Sequence, residues 1–248
     1  MDNIVGRLQS LFPQQFDIIV GSLLGDAGLE CRSAGARAPI TARLRIHHGD
    51  KQKEYVWWKY EQLKVFVVSP PKQITWVNPK RNLTEISWYF HTRSIREFGI
   101  LYQYFYDRKK ILPLYIEKML SPQALAVWFM DDGSRKESGG TISTHTFIKE
   151  DQYRIRTFLK ERYGIRVSIV KDRTQWKIAL NQLAFAQLVS IIEPFVIPSM
   201  AYKIANPRND SLAFAGGAEG NTFANTSVTL ETGHWKLEAG KTFRQSSL

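Results

Sequence analysis

Two stretches of this chain end in carboxylates where an apolar helix has no structural use for them. The first runs Ile19-Val20-Gly21-Ser22-Leu23-Leu24-Gly25-Asp26-Ala27, the second Leu125-Ala126-Val127-Trp128-Phe129-Met130-Asp131-Asp132-Gly133. Each reads as an apolar helix whose last turn carries an acid just before a small residue. A helix C-terminus is already negative, so an aspartate there is repelled by the backbone dipole and, in the second copy, by its neighbour. A bound cation reverses that penalty, and carboxylates, terminal carbonyls and water are the oxygen ligands that Mg²⁺ accepts. Gly21 and Gly25 lie one turn apart and permit close approach of another backbone. If the two helices pack side by side, Asp26 and Asp132 come together as a pair of adjacent metal sites.

The elements that must hold these helices occur twice. Phe16, Ile18, Ile19, Val20, Leu23 and Leu24 predict a buried helix from Pro13 to about Asp26, with Gly28 as its stop. Thr41 to His47 alternates, placing Ala42, Leu44 and Ile46 on a core and Thr41, Arg43, Arg45 and His47 outside. A helix over Lys51–Phe66, strands over Gln73–Val77 and Leu83–His91, and a helix over Ile95–Asp107 follow. The order then restarts. Ser121-Pro122 opens the second acid-ending helix, with serine as its cap. A strand near Gly140–Thr146, a helix from Lys149 to Gly164, strands over Ile165–Val170 and Thr174–Leu180, and a helix from Asn181 to Ile192 complete the repeat. The pattern predicts a pseudo-two-fold α/β (α+β) protein with halves at 1–113 and 114–205. Beyond them lies a flexible tail, 206–248, rich in Gly, Ala, Asn, Ser and Thr.

Composition points the same way. The 248 residues carry 34 Lys and Arg against 23 Asp and Glu, a net charge of +11. That surplus suits a polyanion, since each phosphate neutralised releases condensed counterions. One cysteine, Cys31, excludes an internal disulfide and an all-cysteine zinc site. No apolar run is long enough to span a bilayer, and Met1-Asp2-Asn3-Ile4 does not open a secretion signal. An intracellular protein is expected, in bacterial cytoplasm or an organelle matrix. The histidines show no zinc-ligand spacing: His47 and His48 are adjacent and point to opposite faces of a strand. No phosphate-cradling glycine loop is present.

Leu24-Gly25-Asp26-Ala27 and Trp128-Phe129-Met130-Asp131-Asp132-Gly133 resemble the two motif copies of single-chain LAGLIDADG homing endonucleases. The similarity takes in Ser69-Pro70-Pro71, Lys109-Lys110 followed by Pro113, and Ile197-Pro198-Ser199-Met200-Ala201-Tyr202-Lys203, and covers roughly residues 17–204. It implies an αββαββα fold in each half, with a saddle-shaped sheet along the DNA. It implies that Asp26 and Asp132 are the catalytic, metal-binding acids, that the carbonyls of Gly25 and Asp131 complete the metal shells, and that Lys110 and Lys203 are the active-site lysines. The ion would be Mg²⁺ or Mn²⁺, and the cuts would cross the minor groove to leave short 3′ overhangs.

On that resemblance, strand side chains read base edges in the major groove. The expected set is Arg43, Arg45 and His47 with Gln73, Thr75, Glu85, Ser87, Tyr89 and His91. In the second half it is Arg166, Ser168, Lys171, Arg173, Gln175 and Lys177. The loop residues Arg32, Arg37, Arg135 and Lys136 are expected on phosphates or flanking bases. The partner is double-stranded DNA, bound by a monomer. Two other readings use the same scaffold, an intron RNA maturase and a non-catalytic DNA-binding protein. The presence of both acids and both lysines favours cutting. An unrelated metal-dependent nuclease would more often cluster its acids in one half.

Overall fold

The elements of the first half are α1 (Pro13–Leu24), β1 (Gly28–Glu30), β2 (Arg43–Gly49), α2 (Lys53–Leu63), β3 (Lys72–Asn78), β4 (Leu83–His91) and α3 (Arg96–Phe105). A two-residue hairpin, β5 (Tyr106–Asp107) and β6 (Lys109–Lys110), leads on. The second half repeats the order with α4 (Pro122–Asp132), β7 (Gly133–Lys136), β8 (Gly139–Ile142), α5 (Lys149–Tyr163), β9 (Ser168–Asp172), β10 (Gln175–Leu180) and α6 (Gln182–Ile192). This computed structural model describes residues 11–31, 41–79 and 82–205. Arg32, Arg37 and the tail from 206 lie outside the described residues. The chain divides into two units, Met1–Asn206 and Pro207–Leu248, and both halves belong to the first. Among the described residues no helix is long and apolar enough to cross a membrane.

Each half is thus αββαββα, built on a four-stranded antiparallel sheet of order β1-β2-β4-β3 or β7-β8-β10-β9. Strand alternation places the core. In β2 and the residue before it, Ala42, Leu44 and Ile46 are buried while Arg43, Arg45 and His47 face out. The first strand of each sheet is a departure from the sequence reading. Gly28 and Gly133 open β1 and β7 directly instead of only stopping a helix, and strands of three and four residues show too little alternation to be read.

The centre is the contact of α1 with α4. Pro122 starts α4, and the Ser121 hydroxyl accepts the Ala124 N–H at 3.1 Å. On α1, a Cβ at Gly21 would sit 2.4 Å from the Ala124 carbonyl and 2.7 Å from the Val127 Cβ. Only glycine lets the backbones come this close. Around the seam Ile18, Ile19, Leu23, Trp128 and Phe129 are fully buried, each contributing roughly 1.5–3 kcal/mol of transfer free energy. This packing carries the two acidic helix ends to one place.

Candidate active site

At the shared helix ends, the main-chain carbonyl just before each acid accepts a hydrogen bond from a lysine. Lys110, on β6, donates to the carbonyls of Gly25 at 2.9 Å and Ala27 at 2.7 Å. Lys203, in the 3₁₀ helix Pro198–Lys203, donates to the carbonyl of Asp131 at 2.8 Å. Two lysines from unrelated local structures therefore cap the two helices alike. Burial pulls both ammonium groups below the usual lysine range, with the three aspartates opposing. A lysine so placed can exchange a proton more readily than a solvated one.

The acids respond in the opposite sense. Burial, then Asp26, then Asp131, push the Asp132 carboxyl up to about 7. Partial burial and Asp131 also raise Asp26. Carboxylates that repel one another beside main-chain carbonyls form a hard oxygen donor set, which fits Mg²⁺ or Mn²⁺. A carbonyl oxygen has two lone pairs, so the lysine bonds do not exclude a metal from the Gly25 and Asp131 carbonyls.

Asp131 itself plays a different part. Its side chain is fully buried, with Oδ1 held 2.7 Å from the Lys59 Nζ and Oδ2 accepting the Asp26 N–H at 3.2 Å. Burial alone would raise this carboxyl, but Lys59 and His48 outweigh it and hold it below the ordinary range. His48 lies between the acids, with Nδ1 3.5 Å from Asp26 Oδ2 and Nε2 3.9 Å from Asp131 Oδ1. Burial first, then Lys59, lower its pKa to about 4, so it is neutral at physiological pH. Asp26, His48 and Asp131 offer ligand atoms within 4.8 Å of one another, yet the Lys59 ammonium already serves as the cation of that cluster.

Neither Lys59 nor His48 is among the site residues expected from the sequence, although signals for both exist. His48 continues the inward parity of Ala42, Leu44 and Ile46. Lys59 shares the buried helical face of Val56 and Leu63. A charged residue at a core position must find a partner, but nothing local says which.

The model of the LAGLIDADG DNA endonuclease family matches residues 16–188. The chain belongs to that family. The DNA endonuclease I-ChuI of Chlamydomonas applanata is 31% identical over 217 residues, 79% of this chain and 97% of the relative. The cytochrome b mRNA maturase bI2 of Debaryomyces hansenii is 27% identical over 210 residues, 82% of this chain and 78% of the relative. The structure of the homing endonuclease I-WcaI bound to its DNA recognition sequence superposes with a TM-score of 0.71. It covers 83% of this chain and 93% of the other at 22% identity, a likeness of fold.

In this LAGLIDADG chain, strand register decides which of the expected reading residues share a face. Arg45 pairs with His91 and His47 with Tyr89, while Tyr89 pairs with Lys72 and Ser87 with Ile74. Arg43, Arg45, His47, Glu85, Ser87, Tyr89 and His91 therefore lie together, knitted by His47 Nε2 to Ser87 Oγ at 2.8 Å and Arg43 to Glu30 at 2.7 Å. Gln73 and Thr75 do not join them. They pair with Trp88 and Ile86 on the opposite face, because Lys72 starts the in-phase set and a shift of one residue reverses every side chain.

In the second sheet, Lys136, Ser168, Gln175 and Lys177 share the outward face, and Arg166 is exposed between buried Ile165 and Val167. Arg173 occupies the β9–β10 turn with φ +56°. Two further expected residues lie off this face. Lys171 pairs with Trp176, on the face of the buried Ile178. Arg135 pairs with Gly140 and turns inward, its guanidinium 5.1 Å over the Phe185 ring and its Nη1 donating to the Ile204 carbonyl at 2.7 Å. It ties down the residue next to Lys203 instead of reaching outward.

Proposed function

We propose that this chain is a site-specific homing endonuclease that makes metal-dependent double-strand breaks in a long DNA target. The observation that carries the reading is the doubled arrangement of an acid at a helix end with a lysine on the adjoining carbonyl. Asp26 and Asp132, with the carbonyls of Gly25 and Asp131, are the residues that would hold Mg²⁺ or Mn²⁺. Such an ion, when bound, supplies Lewis-acid activation of phosphate and water. Lys110 and Lys203 stabilise charge building on the phosphate and pass protons with the attacking water. The outward faces and turns, with Arg43, Arg45 and His47 in one half and Arg166, Ser168, Arg173, Gln175 and Lys177 in the other, read the duplex, and Lys136 holds its backbone.

One copy of the chain supplies both sites, so the protein acts as a monomer of two halves, 1–113 and 114–205, in an intracellular compartment. The reading is supported by family membership and by the DNA-bound I-WcaI structure. A second reading, binding of intron RNA, is favoured by the maturase bI2, which matches most of this chain. Both activities can reside on the same sheets.

The deciding experiment exposes a randomised double-stranded DNA library to the purified protein with Mg²⁺ and, in parallel, with EDTA, and sequences the cut ends. Mg²⁺-dependent recovery of one long motif with short 3′ overhangs is expected. Folded protein that cuts nothing, yet binds intron RNA, would move the assignment to the second reading.

A further inference from the structure

The two acids of the site differ in what supports them. Asp132 feels the charges of Asp26, Asp131 and the two lysines, whereas Asp26 is backed by a buried chain of groups from its own half. Lys59, on α2, is the one buried lysine or arginine among the described residues. Its ammonium donates to Asp131 Oδ1 at 2.7 Å and lies 3.3 Å from His48 Nε2. An ammonium has no acceptor, so His48 Nε2 must accept from it. A neutral imidazole accepting at Nε2 carries its hydrogen on Nδ1, and Nδ1 faces Asp26 Oδ2 at 3.5 Å. Asp131 closes the circuit from the other half by accepting the Asp26 backbone N–H.

The circuit depends on an asymmetry between the motif copies. Gly25 stands where the second copy has Asp131, and a Cβ at Gly25 would lie 2.6 Å from Asp131 Oδ2. The missing side chain in one helix makes room for the carboxylate of the other. That carboxylate draws in Lys59, and Lys59 sets the tautomer of His48.

We infer that His48 and Lys59 are positioning residues that orient the Asp26 carboxylate toward its metal, with no equivalent circuit for Asp132 among the described residues. The inference rests on the nuclease reading for its consequence in cleavage, but the circuit itself does not. Groups that orient a metal ligand typically govern affinity or activity by 10- to 100-fold. Loss of His48 therefore weakens one of two metal sites and slows one strand more than the other, and nicked DNA accumulates.

The test uses His48→Leu, which removes the Nδ1–H donor, and His48→Asn, whose amide nitrogen replaces it at the same place. Circular dichroism checks that both variants fold. Mn²⁺ binding, followed by the EPR signal of the free ion, should show one site weakened about tenfold in His48→Leu and restored in His48→Asn. On supercoiled plasmid carrying the target, His48→Leu should accumulate nicked circles, and His48→Asn should return to direct linearisation. Equal slowing of both strands, unchanged Mn²⁺ binding in His48→Leu, or failure of asparagine to rescue would overturn the inference. Mn²⁺ results as expected, with no DNA cut by the wild type, would uphold the circuit and remove the nuclease reading instead.

Discussion

The Lys110 ammonium donates a 2.9 Å hydrogen bond to the main-chain carbonyl of Gly25, the residue just before Asp26. Lys203 does the same at 2.8 Å for Asp131, just before Asp132. One lysine comes from a two-residue strand and the other from a 3₁₀ helix. The shared geometry is therefore a property of the site, not of the elements that supply it.

Asp26→Asn and Asp132→Asn should each abolish double-strand cleavage while largely sparing DNA affinity, because the amide keeps shape but loses the charge that holds a cation. Cleavage assays run beside gel-shift titrations measure this. Unchanged cutting in either variant removes that residue from the active site.

Lys110→Met and Lys203→Met should lower single-turnover cleavage about 100-fold, the scale of losing one preorganised donor to a charged transition state. DNA affinity should change far less. A uniform loss of binding with normal turnover would make these lysines phosphate contacts.

The metal-free protein should show a particular pH dependence. Asp132 is raised to about 7 in the fold, above the value of about 3.9 for an unfolded aspartate. Folding thus takes up a proton between those limits. The contribution of this group is fully present below pH ~3.9 and lost as pH rises through about 7. In EDTA, Asp132→Asn should match wild type near pH 4 and exceed it by roughly 1–2 kcal/mol at pH 8, discounted for the water that reaches the carboxyl. Urea unfolding at the two pH values checks it, and an equal gap at both would refute it.

Gly25→Ala should destabilise the fold by about 2 kcal/mol or more, as overpacking does, because its Cβ would fall 2.4 Å from the Asp131 Cβ. Thermal unfolding measures the loss. Wild-type stability would refute the close contact of the two helix ends.

Arg45→Ala should relax base preference at one target position, whereas Gln73→Ala should leave specificity unchanged, since register places these residues on opposite faces. Cleavage profiling on single-base target variants separates them. A specificity change in Gln73→Ala would contradict the face assignment.

Much of the fold was legible in the chain. Periodicity located the helices ending in Asp26 and Asp132, the Ser121 cap and the inward parity of Ala42, Leu44 and Ile46, because each is a local property of backbone geometry and burial. The glycine pair at Gly21 and Gly25 announced a close helix contact for the same reason. Lys110 and Lys203 were found by resemblance alone, since nothing near them in sequence sets them apart from other lysines.

The rest required the tertiary structure. Whether β3 presents Lys72 or Gln73 to the outer face depends on pairing with β4, a one-residue choice that the strand itself does not encode. Arg135 has the composition of an outward phosphate contact until Phe185 and the Ile204 carbonyl are placed beside it. The binding of Asp131 to Lys59 joins residues 72 positions apart. The sequence alone determined which residues are acids, where the helices end and which faces are apolar. The tertiary structure decided which buried charges meet, because a buried charge is stabilised only by a partner that folding brings to it from elsewhere in the chain.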